Sequence, residues 1–176
     1  MSAKGLWSIA KEAAETLIIA LILTFFIRSF LVESIEVQGF SMEPTLHDGE
    51  RLLINKVVYR IRPPRQGEII VFRYPRQPDR DFIKRVIAGP GQQVEIRMGR
   101  VFVDGNPLKE DYLTTTFFGD LPPVEVPEGH VFVMGDNRGN SEDSRSFGPV
   151  SLEMVKGRAF LIFWPLPRIQ MIGAGG

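Results

Sequence analysis

The chain has 176 residues, with 21 basic and 21 acidic side chains that cancel, and it has no cysteine. The length allows one sizeable core, the charge balance argues against a broad nucleic-acid surface, and the missing thiols exclude disulfides, thiolate nucleophiles and Cys-ligated zinc. The two histidines, His47 and His130, lie far apart without an HxxxH-type partner, so neither a metal site nor a cofactor is expected.

The first element is apolar. Residues 13–32 read AAETLIIALILTFFIRSFLV, with Glu15 near the entry and Arg28 about a turn from the exit. As one helix these ~20 residues would span about 30 Å, the thickness of a bilayer's hydrocarbon layer. The expected organisation is a short tail (1–12), a single transmembrane helix (13–32) and a β-rich domain (33–176). Two other readings stand beside it. One is a cleavable signal peptide ending at Val32-Glu33-Ser34, against which Glu12 and Glu15 occupy the region that should be basic. The other is a buried soluble helix. Lys4 and Lys11 before the span lean towards an N-terminus inside, with Arg28 counting the other way.

Beyond residue 32 the pattern alternates polar and apolar, as in a half-buried strand. Strands are expected over 34–37, 51–59 (RLLINKVVY), 68–73, 82–88, 94–96, 100–103, 130–134 and 158–164. Asp104-Gly105 before Asn106-Pro107 is a hairpin signal, and Pro63-Pro64, Pro75, Pro90-Gly91 and Pro122-Pro123 punctuate the rest. This spacing predicts a mainly β fold, a coiled antiparallel sheet or barrel-like domain. Residues 92–127 read as a small insertion or cap, with 114–127 as a flexible loop. Phe160, Phe163 and Trp164 read first as a buried strand and second as a patch that seats on lipid.

Three features carry chemistry. Ser41, in QGFSMEPTL, needs a base before its hydroxyl can attack. His47 is too close along a turning chain, and His130 opens a strand elsewhere. Lys84, in DFIKRVIAGPG, shares a strand face with Phe82 and Val86, an apolar setting that can lower an amine's pKa. The plainer alternative is a lysine that snorkels from a sheet edge into water. The polar run GDNRGNSEDSRSFG, residues 135–148, fails as an EF-type calcium loop because Arg138 stands where Asp or Asn is required. It reads otherwise as Asx-turns with a local Asp143–Arg145 pair, or as a loop that orients an amine or a substrate backbone.

QGFSMEPTL, FIKRVIAGPG and GDNRGNSEDSRSFGPV, in this order after one apolar segment, resemble the bacterial type I signal peptidases. RLLINKVVY, GEIIVFRYP and VFVDGNPLKEDYL add to the resemblance, which covers nearly the whole chain. It implies a membrane-anchored Ser/Lys endopeptidase that removes signal peptides from exported preproteins. The enzyme would sit in the bacterial cytoplasmic membrane, with its catalytic domain on the outer face and against lipid. Ser41 matches the nucleophile and Lys84 the general base. Ser141 matches a serine that holds the lysine amine, Asp143 and Arg145 a salt-bridged pair, and Asp136 a member of that network. Ser144 and Asn137 are read as structural. Gly39 departs from members that carry an oxyanion-binding serine there, so the Ser41 N–H and the Gly39 region must supply the oxyanion hole. The accessory subdomain reads as reduced. By resemblance, Val37, Met42, Leu46, Phe82 and Ile83 line the pocket for the first residue before the cut. Ile35, Val37, Leu52 and Ile83 line that for the third. Each of these is also read as plain core.

Rival readings remain at this point. The chain is compatible with a Ser/Lys protease for one dedicated partner, and the mitochondrial inner-membrane peptidases share the motifs, although no Arg- and Ser-rich leader precedes the span. A non-catalytic, membrane-tethered β module is the alternative from another class.

Overall fold

A computed structural model of the chain describes residues 3–26 and 31–173. Helix α1 (Ala3–Phe26) opens the chain. Of the expected span 13–32, residues 27–30, with Arg28, lie outside the described residues, and Val32 belongs to strand β1 (Val32–Glu36). Among the described residues no helix is long and apolar enough to cross a membrane. Lys11, Glu12 and Glu15 fall within α1.

The remaining described chain is mainly antiparallel β. The larger sheet runs β1, β2 (Arg51–Asn55), β11 (Val155–Trp164), β3 (Ile69–Tyr74), β4 (Gln77–Ala88), β9 (His130–Met134), β10 (Val150–Ser151), with β12 (Gln170–Met171) paired to β11. The smaller sheet runs β7 (Asn106–Pro107), β6 (Arg100–Val103), β5 (Gln93–Arg97), β8 (Leu121–Glu125). β1 and β10 end the larger sheet without pairing to each other, so the barrel-like expectation gives way to open sheets. The expected loop 114–127 contains β8, whose Val124 pairs with Val94 of β5.

Local chemistry explains the elements. β3 carries Ile69, Ile70, Val71 and Phe72, all buried, as a central strand enriched in β-branched and aromatic residues should be. The hairpins β5–β6 and β6–β7 close on Met98-Gly99 and Asp104-Gly105, all four at positive φ, the backbone that two-residue hairpins require. The expected strand 51–59 stops at Asn55, whose Oδ1 accepts the amides of Val57 and Val58 at 2.9 and 3.0 Å and starts the short helix α2 (Val58–Ile61). Phe160 and Phe163 are half-buried, whereas Trp164 is exposed.

Two edges matter for function. Among the described residues β1 pairs only with β2, which leaves its outer edge open. The first half of β4 pairs with β3 alone, because its pairing with β9 begins at Arg85. The turn after β1 is anchored beneath by Val37, Met42 and Leu46, which join Leu52, Ile54, Ile69 and Val71 in one buried cluster.

Candidate active site

Ser41 lies in the tight turn between β1 and β2. Buried Met42 holds this turn from below, and the Leu46 amide closes it on the Met42 carbonyl at 2.9 Å. The polar loop holds it from the side. The Asn137 amide donates to the Ser41 carbonyl at 3.0 Å, and Asn137 Nδ2 donates to the Phe40 carbonyl at 3.1 Å. A β-carbon on Gly135 would collide with both the Ser41 carbonyl oxygen and Ser141 Oγ, so the loop passes the turn at a distance only glycine permits.

Lys84 projects from β4 and is 3% exposed. Its Nζ donates to Ser41 Oγ at 2.7 Å and to the Ile83 carbonyl at 3.0 Å, and it lies 4.9 Å from the centre of the Phe82 ring. It forms no salt bridge among the described residues, whereas the neighbouring Arg85 pairs with Asp136. Burial therefore dominates and pushes the amine from its ordinary 10.5 down to about 8, against the opposing pull of Asp143, Glu142 and Asp136. The snorkelling alternative does not fit so buried an amine. His47 contacts Arg168 and Glu50, and His130 contacts the Glu128 carbonyl, so neither is the partner of Ser41.

The polar loop is a scaffold of charge pairs. Asp143 is fully buried, caps helix α3 (Ser144–Phe147) and takes Arg145 Nε and Nη2 at 2.8 Å each. It also accepts the Gly135 amide at 3.0 Å. Asp136 receives Arg85 Nε and Nη2 at 2.8 and 2.7 Å, and Thr45 Oγ1 at 2.5 Å. Ser144 Oγ accepts the Val133 amide at 3.0 Å. Ser141 Oγ is buried beside Gly135 without a hydrogen-bond partner among the described residues, and the Lys84 amine donates to Ser41 and Ile83 instead of to it. Gly39, two residues before Ser41, carries no hydroxyl. Its amide donates to Asp48 Oδ1 at 2.7 Å and is thereby occupied, while the Ser41 amide has no acceptor among the described residues.

A cleft of about 670 Å³ runs between the free edges of β1 and β4 over Ser41 and Lys84. Ile35, Val37, Met42, Phe82 and Ile83 line it. Leu46 and Leu52 do not: both are fully buried, in the cluster that supports the turn, because they close its underside. Sequence reasoning missed Asp79, Arg80, Asp81 and Glu142 on the cleft wall, and the Arg85–Thr45 link. Arg85 alone gave a signal, as a second cation beside Lys84 in an otherwise apolar run.

Residues 10–164 match the family described as signal peptidase, peptidase S26. The chain belongs to the signal peptidase family. It is 42% identical over 175 residues to a probable signal peptidase I-1 of Synechocystis sp., covering 96% of this chain and 89% of that one. It is 38% identical over 170 residues to a signal peptidase I of Leptolyngbya laminosa, covering 92% and 83%. Among solved structures it resembles a signal peptidase I of Enterococcus faecalis, with a TM-score of 0.50 and 35% identity, covering 54% of this chain and 95% of that one. The chain is thus a peptide-bond hydrolase of the serine peptidase kind, in a family that removes signal peptides.

Proposed function

We propose that the chain is a Ser/Lys endopeptidase that cuts signal peptides from exported preproteins at a membrane surface, after small-x-small sequences. The observation that carries this reading is the 2.7 Å contact between Ser41 Oγ and a buried Lys84 amine that has no counter-charge of its own. A lysine in that state, titrating at about 8, gives up its proton far more readily than a free amine and can serve as base.

In this reading neutral Lys84 takes the Ser41 proton as Oγ attacks the carbonyl of the residue before the cut. The Ser41 amide, free of other acceptors, donates to the oxyanion. The leaving amine takes the proton back from Lys84, and an acyl-enzyme remains. Water then loses a proton to the same lysine as it attacks the ester, and Lys84 passes that proton to the departing Ser41 Oγ as the signal peptide is released. Substrate lies extended between the unpaired edges of β1 and β4 and completes both by main-chain hydrogen bonds. Alternate side chains then face the wall formed by Ile35, Val37, Met42, Phe82 and Ile83, which suits small first and third residues. Ser141, Asp143, Arg145 and Asp136 hold the loop beside the pair. Residues 33–176 form the catalytic domain, and 92–127 its cap. Helix α1 brings the domain to lipid, since Leu17, Ile18, Ile19, Leu21, Ile22 and Leu23 are all between 53% and 61% exposed.

The test is cleavage of a secretory preprotein in lipid, with N-terminal sequencing of the product. Wild type should cut after small-x-small, and Ser41→Ala and Lys84→Ala should each lose at least about a thousandfold in rate. Cutting that survives Lys84→Ala would place the base elsewhere.

A further inference from the structure

The segment between β7 and β8, residues 110–118, belongs to neither wall of the cleft, yet it covers the arginines behind it. The Tyr112 ring lies 3.9 Å from the Arg85 guanidinium and 6.0 Å from that of Arg138. Its hydroxyl donates to Glu110 Oε1 at 2.8 Å and accepts from Arg138 Nη2 at 3.3 Å. Glu110 in turn pairs with Arg138, whose Nη1 reaches Oε2 at 3.2 Å. The Phe117 ring lies 5.2 Å from Arg145 and 5.8 Å from Arg138. Each of three arginines therefore meets one carboxylate and at least one aromatic face. Arg85 has Asp136 and Tyr112, Arg138 has Glu110, Tyr112 and Phe117, and Arg145 has Asp143 and Phe117.

We propose that Tyr112 and Phe117 are positioning residues for the Ser41–Lys84 pair, acting through Arg85 and Arg145. The proposal rests on the Ser/Lys reading above. Asp136 and Asp143 each do two things. Asp136 accepts Thr45 Oγ1 from the nucleophile's turn, and Asp143 accepts the Gly135 amide beside Ser41. Both also pull the Lys84 amine towards its charged form. Bidentate arginines neutralise them only while held in register and kept dry, and an aromatic face over a guanidinium does both. The other charged groups around Lys84 are Glu142 on the loop, Glu36 on β1, and Asp79, Arg80 and Asp81 on its own strand, with Lys156 of β11 bound to Asp81. Among the described residues none of these has a hydrogen bond or cation–ring contact to Tyr112 or Phe117.

The experiment measures kcat and KM of the full chain in lipid from pH 6 to 10, with a quenched peptide carrying an Ala-x-Ala cut. Tyr112→Ala should lower kcat about tenfold near pH 7 by moving the acid limb of kcat up about one pH unit, with KM little changed. Tyr112→Phe keeps the ring and should restore the wild-type profile. Phe117→Ala should move the limb the same way, by less. Wild-type kcat and limb in Tyr112→Ala overturn the proposal, as does a rise in KM with kcat intact. A Tyr112→Phe as impaired as Tyr112→Ala overturns it too. If circular dichroism shows Tyr112→Ala unfolded, the half-buried Phe117→Ala decides, and an unmoved limb there sinks the idea. Lys84→Ala is run alongside. If it still cuts, the Ser/Lys reading itself fails. If it is dead beside an unaffected Tyr112→Ala, only the positioning role fails.

Discussion

Lys84 and Arg85 are successive residues of β4, exposed by only 3% and 2%, yet the two walls they enter treat a cation in opposite ways. On one wall Arg85 is compensated throughout, by Asp136, by the Gly67 carbonyl at 2.8 Å and by the Tyr112 ring. On the other, Lys84 meets a hydroxyl, one carbonyl and the Phe82 ring. The difference follows from what each group can do. A guanidinium cannot shed its proton, so it is buried only with partners. An amine can, so burial without a carboxylate turns it into a base. The same carboxylates that would have ruined Lys84 are occupied next door.

The compensated wall gives the largest effect on stability. Arg85→Met leaves Asp136 buried with Thr45 as its remaining partner, and should cost about 3–5 kcal/mol in denaturant unfolding. A loss below about 1 kcal/mol would mean that Asp136 escapes to water or takes up a proton without strain.

The uncompensated wall should respond with the opposite sign. Lys84→Met removes a charge that the folded chain carries at pH 7 in a dry place. It should abolish cutting while raising stability by about 1–3 kcal/mol. The pH dependence fixes the cause. The unfolded lysine titrates near 10.5 and the folded one near 8, so between these values the unfolded chain binds more protons. Wild-type stability should therefore rise with pH across that window, and the gap to Lys84→Met should close. Below about pH 8 the gap stays at its full size. A variant less stable than wild type at pH 7 would show that the amine is not held at a cost.

This contrast was half legible in the sequence. The Ser41 turn, the Lys84 strand and the polar loop stand out as local patterns, and period-two alternation placed most strands. The Arg85–Asp136 pair joins residues 51 positions apart, and nothing local marks it. The sequence names only the Gly39 region for the oxyanion hole, because the amide's partner Asp48 is brought back only by the turn. Leu46 and Leu52 share the apolar character of Val37 and Met42, and only the packed turn tells floor from lining. The strand over 51–59 was overrun because Asn55 acts through its side chain, which a hydropathy pattern does not register. The expected span took in Val32, although Leu31-Val32 alone does not distinguish a helix end from a strand start.

Gly39 gives the smallest effect and separates two accounts of the oxyanion hole. Its φ of +87 favours glycine, and a β-carbon there would meet nothing within 4 Å. Gly39→Ala should thus cost only backbone strain, about 1 kcal/mol. Its amide stays bonded to Asp48, so kcat should remain within about twofold, whereas loss of a true oxyanion donor costs about a hundredfold or more. Alanine keeps the N–H but not the freedom of this backbone, so a hundredfold fall in Gly39→Ala, with the expected 1 kcal/mol of unfolding cost, would mean that the residue-39 backbone must turn its amide from Asp48 to the substrate during the reaction. The Ser41 amide would then no longer be the sole backbone donor, and the uncompensated wall would include one more group released only when a peptide is bound.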